Sequence, residues 1–288
     1  MRKILACTDG STHAASVYQH AAWAATRLAS EVEVLHVINH HREHAEVIDL
    51  SGTIGFDAST GVTEELTRLE ETQGREARLK GKAILDEAQR QLATAGCAKV
   101  NSIQRHGTLV ETVAELESNA ELVVIGKSGE HAVLREGQIG GHLENILRVS
   151  RRPTLVVERA FRPIQRILIA FDNSPSAQWA VNYAATSPLQ RGLEVHLVMV
   201  GRSDAAHELA LAEAREKLSN AGLVVSARQL PGRAAVVISD LVKTDGIDLL
   251  LMGAYGHSPV REFFAGSTTT KLVRTCPVSV LMFHGLAN

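Results

Sequence analysis

The chain has 288 residues, 45% of them apolar, 22% charged and only 4% aromatic, with a formal net charge of −2. A length of this kind suits two domains of about 140 residues each. The near-neutral charge, the lack of a long basic run and the shortage of stacking rings exclude a surface built to coat DNA or RNA. Cys7, Cys97 and Cys276 are far apart and form no CxxC, which excludes a disulfide framework or zinc knuckle and suits a reducing compartment. The opening apolar run stops at Asp9, too short for a signal peptide, and no apolar stretch approaches the length of a membrane span. A soluble cytoplasmic protein is the expectation.

In chain order, short apolar runs predict strands over 2–8, 31–38, 100–106, 121–126 and 153–158. Helical patterns fall between them over 12–29, about 70–95, 108–118 and 141–149. After residue 158 the alternation starts again. Strands are expected over 166–171, 193–200, 223–230, 247–252 and 277–283, and helices over about 175–187, 203–221, 232–244 and 267–274. Runs such as Leu122–Gly126 and Leu249–Gly253 are continuously apolar, the pattern of a strand buried on both faces of a parallel sheet. The helix over 203–221 has Ser203 or Asp204 as its cap and Gly222 as its stop. Regular β-α alternation implies a doubly wound α/β sheet with right-handed crossovers, whose ligands bind beyond the C-terminal strand ends.

The two stretches are copies. RKILACTDGS (2–11) matches QRILIAFDNS (165–174), ELVVIGKSGEH (121–131) matches DLLLMGAYGHS (248–258), and RRPTLVVE (151–158) matches TCPVSVLM (275–282), in the same order. The domains are therefore 1–160 and 161–288, joined by the short link ERAFRPIQ around Pro163, which favours packed over freely tumbling copies. The first copy carries an insertion over about 39–75 that the second lacks.

The sharpest chemical signal is in the second copy. Gly253 and Gly256 follow the strand, nine residues intervene, and Gly266, Ser267 and Thr268 open the next helix. Glycines let backbone N–H groups approach an anion, and a helix N-terminus with two hydroxyls favours negative charge, so this loop reads as a phosphate cradle. Asp172 ends the first strand of the same copy on the same sheet edge, where a carboxylate can accept from a ribose or an amino group; its plainer role is a turn before the helix, which Ser174 could cap. Val198 lies near the end of the second strand, where main-chain groups can meet a base edge.

The spacing Gly253-x2-Gly256-x9-Gly266-Ser267, with Asp172 upstream, resembles the ATP-binding pattern of the universal stress protein family, and the whole chain resembles its tandem form. The resemblance implies an adenine nucleotide (ATP, ADP or AMP), with Asp172 and Val198 at the adenosine end. It places Gly253, Gly256, Gly266, Ser267 and Thr268 around ribose and phosphates. It also implies a five-stranded parallel sheet in each copy, in the order 3-2-1-4-5, and packing of the copies about a pseudo-twofold axis through their last strands.

The first copy departs from this pattern. It keeps Asp9, Gly126 and Gly129, but ten residues then precede Gly140, and Gly141-His142 stand where two hydroxyls are expected, with Glu130 and Glu136 inside the loop. Its nucleotide binding is expected to be weak or absent. The triplet Gly126-Lys127-Ser128 lacks the earlier glycine of a P-loop. His40, His41 and His44 open a polar insertion without an HExxH pattern, which favours a solvated loop over a metal site. His36, Cys7 and Cys276 read as buried structural residues.

The leading expectation is a non-enzymatic nucleotide-binding stress-response protein, a regulator or chaperone-like factor, with no metal beyond a nucleotide-bound magnesium. No SGGxDS or HxGH signature supports the alternative of a slow ATPase or an adenylate-transferring ligase. A third reading gives the first copy a lipid-like or other ligand, or a metal, under its insertion. The partners expected are an adenine nucleotide, each domain for the other, and in one alternative a second chain.

Overall fold

The computed structural model describes residues 3–38, 59–128, 141–254 and 267–284. The first copy runs β1 (Lys3–Cys7), α1 (Ala14–Leu28), β2 (Glu31–Ile38), α2 (Ser59–Thr94), β3 (Val100–His106), α3 (Leu109–Leu116), β4 (Ala120–Gly126), α4 (Gly141–Val149) and β5 (Thr154–Val157). The second runs β6 (Arg166–Ala170), α5 (Pro175–Thr186), β7 (Glu194–Val200), α6 (Ala205–Asn220), β8 (Val224–Leu230), α7 (Ala234–Thr244), β9 (Leu249–Ala254), α8 (Ser267–Thr275) and β10 (Ser279–His284).

Each copy forms a parallel five-stranded unit in the order 3-2-1-4-5, and the two join into one sheet ordered β3-β2-β1-β4-β5-β10-β9-β6-β7-β8. The join is antiparallel, with Val156 opposite Val280 and Leu155 opposite Leu281. A pseudo-twofold axis therefore passes between the last strands, and the C-terminal strand edges of the two copies face opposite ways. The alternation along β1 shows why both faces are covered: Ile4 and Ala6 face α1 and α2, whereas Leu5 and Cys7 face α3 and α4. The second copy repeats this with Ile167 and Ile169 toward α5 and α6, and Leu168 toward α7 and α8. Burying each such side chain contributes roughly 1.5–3 kcal/mol.

Local signals place the helix ends. Asp204 caps α6 by accepting from the His207 N–H at 2.9 Å, and Gly222 follows that helix at φ +81°. Two elements differ from expectation. β9 continues to Ala254 because Gly253 and Ala254 pair with Phe283 and His284 of β10. α2 begins at Ser59 rather than near residue 70, so the second half of the insertion is helix.

Polar contacts seal the seam between copies. Lys127 Nζ donates to Glu158 and, at 2.7 Å, to the Cys276 carbonyl across the seam. Arg27 donates to the Leu189 carbonyl at 2.7 Å and to that of Arg191. His20 Nδ1 lies 2.8 Å from the Ser16 carbonyl, which can only accept, so Nδ1 carries the proton. Its Nε2 therefore accepts from Ser279 Oγ at 2.9 Å, and that oxygen accepts from the Glu158 N–H. No described helix is long and apolar enough to cross a membrane.

Candidate functional site

Beyond β6 the chain turns through Phe171, Asp172 and Asn173 into α5. Asn173 takes the left-handed conformation at φ +61°, which asparagine tolerates better than most residues. Asp172 Oδ1 accepts from the Ser174 N–H at 3.0 Å and from Ser174 Oγ at 2.6 Å. Ser174 Oγ in turn accepts from the Ala177 N–H and caps α5. Asp172 thus braces the turn at the exposed sheet edge, and Ser174 is the helix cap.

Gly253 is the penultimate residue of the neighbouring strand β9, on the opposite side of β6 from β7. A Cβ there would stand 2.4 Å from Ser176 Oγ and 2.8 Å from the Ala177 nitrogen. Glycine at this position lets the first turn of α5 close onto the end of β9. Strand order reverses between β6 and β9, so the crevice at the switch point opens between the Asp172 turn and the segment after Gly253. α8 begins at Ser267, which puts a helix N-terminus on the far side of that segment. Gly256 and Gly266 lie outside the described residues, as do the side chains of Ser267 and Thr268.

The main chain of β7 adds a feature that its side chains do not announce. Val198 is buried, and its carbonyl accepts from the Phe171 N–H at 2.9 Å, so its polar groups face β6. The Gly201 N–H bonds the Leu230 carbonyl, so the intervening parity faces β8. Val200, two residues past Val198, also directs its N–H and C=O toward β6, but β6 has ended at Ala170. Among the described residues no main-chain partner meets them. A donor and an acceptor on one residue therefore face the crevice beside Asp172. The signal was present in the sequence: the second apolar run outlasts the first.

The first copy builds the same turn differently. Asp9 Oδ1 accepts from the Ser11 N–H at 2.9 Å, and Gly10 takes φ +74°. A Cβ on Gly10 would stand 2.8 Å from Ile84 of α2, so here the turn is overlaid by that helix. His36 Nδ1 donates to the Thr8 carbonyl at 3.0 Å, which satisfies the strand-end oxygen from within, as the structural reading of His36 expected. Gly126 is the counterpart of Gly253, and a Cβ on it would stand 2.9 Å from His13 Cβ. His13 lies 3.4 Å from Ser128 Oγ, and burial pulls its pKa below the usual histidine value. Lys127 is committed to the seam rather than to the crevice. Gly129, Gly140, Glu130 and Glu136 lie outside the described residues, and so do His40, His41 and His44. The described residues contain no group of three metal-binding side chains. Burial holds the Cys7 thiol at a pKa of about 12 and raises that of Cys276, as buried structural thiols.

Comparison with known proteins agrees with this architecture. The universal stress protein family model matches twice, over residues 1–158 and 163–284. A universal stress protein of Synechocystis sp. is 35% identical over 287 residues, spanning 99% of this chain and all of that one. In structure, a universal stress protein from Archaeoglobus fulgidus superposes with a TM-score of 0.76 at 21% identity, covering 99% of this chain and 98% of that one. One from Pseudomonas aeruginosa, described as putative, reaches 0.61 at 15% identity over 99% and 93%. The chain belongs to the universal stress protein family, in its tandem form.

Proposed function

We propose that the second copy binds an adenine nucleotide at its switch point, and that occupancy regulates a stress response without turnover of the nucleotide. The observation that carries the reading is the outward-facing main chain of Val200 beside the Asp172 turn. An adenine edge offers one acceptor and one donor side by side, and a single strand residue with both groups unpaired is its complement. This reading gives Val200 the base contact first assigned to Val198, whose carbonyl is engaged by Phe171. Asp172 would meet the ribose, Gly253 shapes the crevice, and the segment Gly256 to Thr268 would cradle phosphates, with magnesium arriving on the nucleotide. Asp9, Gly126, Gly129 and Gly140 form the weaker counterpart. The nucleotide acts as a switch by binding one conformation better than another.

Equilibrium dialysis with labelled ATP tests this. One nucleotide per chain is expected at millimolar ATP or below, with binding lost in Gly266→Val. No binding at millimolar ATP, or wild-type binding by Gly266→Val, overturns the reading. Steady ATP hydrolysis well above background, abolished in Asp172→Ala, would favour the slow ATPase instead.

A further inference from the structure

The copies differ most in the helix after their second strand. α6 has 16 residues and α2 has 36. Among the described side chains of α2, those that pack into the core lie in its last part, at Leu85, Ala88 and Leu92. The helix crosses the C-terminal strand edge near Gly81, which rests on His36, and Arg78, whose carbonyl accepts from Gln104. The 19 residues from Ser59 to Ala77 continue beyond that edge for about 30 Å at 1.5 Å per residue. The exposed positions include Leu69 at 49% and Leu79 at 61%.

A helix segment that is largely polar and exposed at residues such as Leu69, Glu71 and Arg75 is marginal in water, and Gly74 in its interior costs about another 1 kcal/mol. The sequence offers what a partner would need. Residues 59–73 carry Glu64, Glu65, Glu70 and Glu71 against one cation, Arg68. Residues 74–82 carry Arg75, Arg78, Lys80 and Lys82 against one anion, Glu76. The helix is acidic at its free end and basic toward the body, and the sign changes at Gln73–Gly74. A partner complementary to it must be basic where it is acidic and acidic where it is basic, in reverse order along the axis. The same segment of a second chain, turned antiparallel, meets that requirement, and twofold symmetry makes both contacts at once. The pivot of such a pair falls at Gln73–Gly74. A Cβ on Gly74 would meet no described atom within 4 Å, so two backbones can approach closely there.

We propose that the protruding half of α2 pairs antiparallel with the same segment of a second copy of this chain. The pair is short, at the lower end of interface sizes, so the dimer is weak and forms with concentration. Its charge pattern makes it salt-sensitive.

Sedimentation velocity of the full chain over a wide concentration range, at low and high salt, reads this directly. The expected result is a monomer–dimer equilibrium that weakens about tenfold at high salt. Reversing the acidic half (E64K, E65K, E70K and E71K together) should abolish association, as should reversing the basic half (R75E, R78E, K80E and K82E). A chain with both halves reversed should dimerise again. That chain keeps an opposite pair at 71 and 75 but sets like charges at 64 and 68 and at 76 and 80, so helix content is followed by circular dichroism beside the sedimentation. Leu69→Glu should weaken the dimer about tenfold with the melting temperature unchanged. A chain that stays monomeric throughout overturns the proposal. So does a dimer that survives either reversal, or one that the double reversal fails to restore.

Discussion

The same turn is built twice in this molecule and covered in two ways. After β1 it passes through Gly10 with Ile84 of α2 laid over it, and His36 satisfies the last strand carbonyl from within. After β6 it passes through Asn173, and the neighbouring strand ends with the Val200 main chain facing outward. Duplication fixed the backbone path, and the divergence lies in what covers the strand ends. The positions under the seam diverge in the same manner. Trp179 and Tyr183 pack on Phe283 with ring centroids 5.5 and 5.2 Å away, whereas their counterparts Ser16 and His20 form a polar chain to Ser279. At both edges the second strand outlasts the first, so the main chains of Val37 and Val200 take equivalent positions, and the difference lies in the cover that Ile84 and His36 give the first turn.

The largest expected effect breaks the glycine half of the comparison. Gly253→Ala places a methyl against the backbone nitrogen of Ala177, which cannot move without moving α5. Overpacking of this kind costs about 3 kcal/mol, a loss of roughly 5–10 °C in the melting temperature. Gly126→Ala meets one side-chain carbon of His13 at 2.9 Å and should cost about half as much. Equal losses by differential scanning calorimetry would show that the two helix starts are equally tight.

Next in size is a pH effect that belongs to the first copy. Burial lowers the His20 pKa from 6.5 to about 4. The unfolded chain therefore binds a proton between those values that the folded chain refuses, so stability rises with pH across the window and is lost as pH falls from 6.5 toward 4. The loss from this one group is about 3 kcal/mol. Its counterpart Tyr183 does not titrate there. His20→Gln can still bond Ser279 and should flatten this part of the urea-midpoint profile between pH 6.5 and 4. An unchanged profile would assign the slope elsewhere, with His284, also held near 4 by burial, as the next group to substitute.

Much of this was legible in the sequence because the relevant forces are local. Continuous apolar runs such as Leu249–Met252 announce strands buried on both faces, and the repeated TDGS and FDNS turns announce the duplication. The early half of α2 was not legible, because a helix without an apolar stripe on its own core gives no periodic signal. The packing role of Gly253 depends on Ser176, far away in the chain, and glycine there is equally at home in a phosphate loop. The main-chain direction at Val198 and Val200 was not legible, because a valine side chain says nothing about where its main chain points. That requires the hydrogen-bond parity between strands, which appears only once β6 is known to stop at Ala170.

The smallest expected effect sharpens the comparison most. Asp172 and Asp9 occupy equivalent turns, and each braces a serine two residues on. Removing either carboxylate therefore costs a similar turn contact, about 1 kcal/mol of stability. Binding should separate them. Asp172→Ala is expected to weaken ATP about tenfold, near 1.4 kcal/mol, because it removes an acceptor beside the Val200 main chain. Asp9→Ala should leave affinity and stoichiometry as they are in isothermal titration calorimetry. If both variants weaken ATP equally, the two crevices share the ligand, and Ile84 and His36 cover the first one without closing it. If only Asp9→Ala does so, the assignment of the copies is reversed, and the extra length of α2 would have to be read as the wall of a binding site.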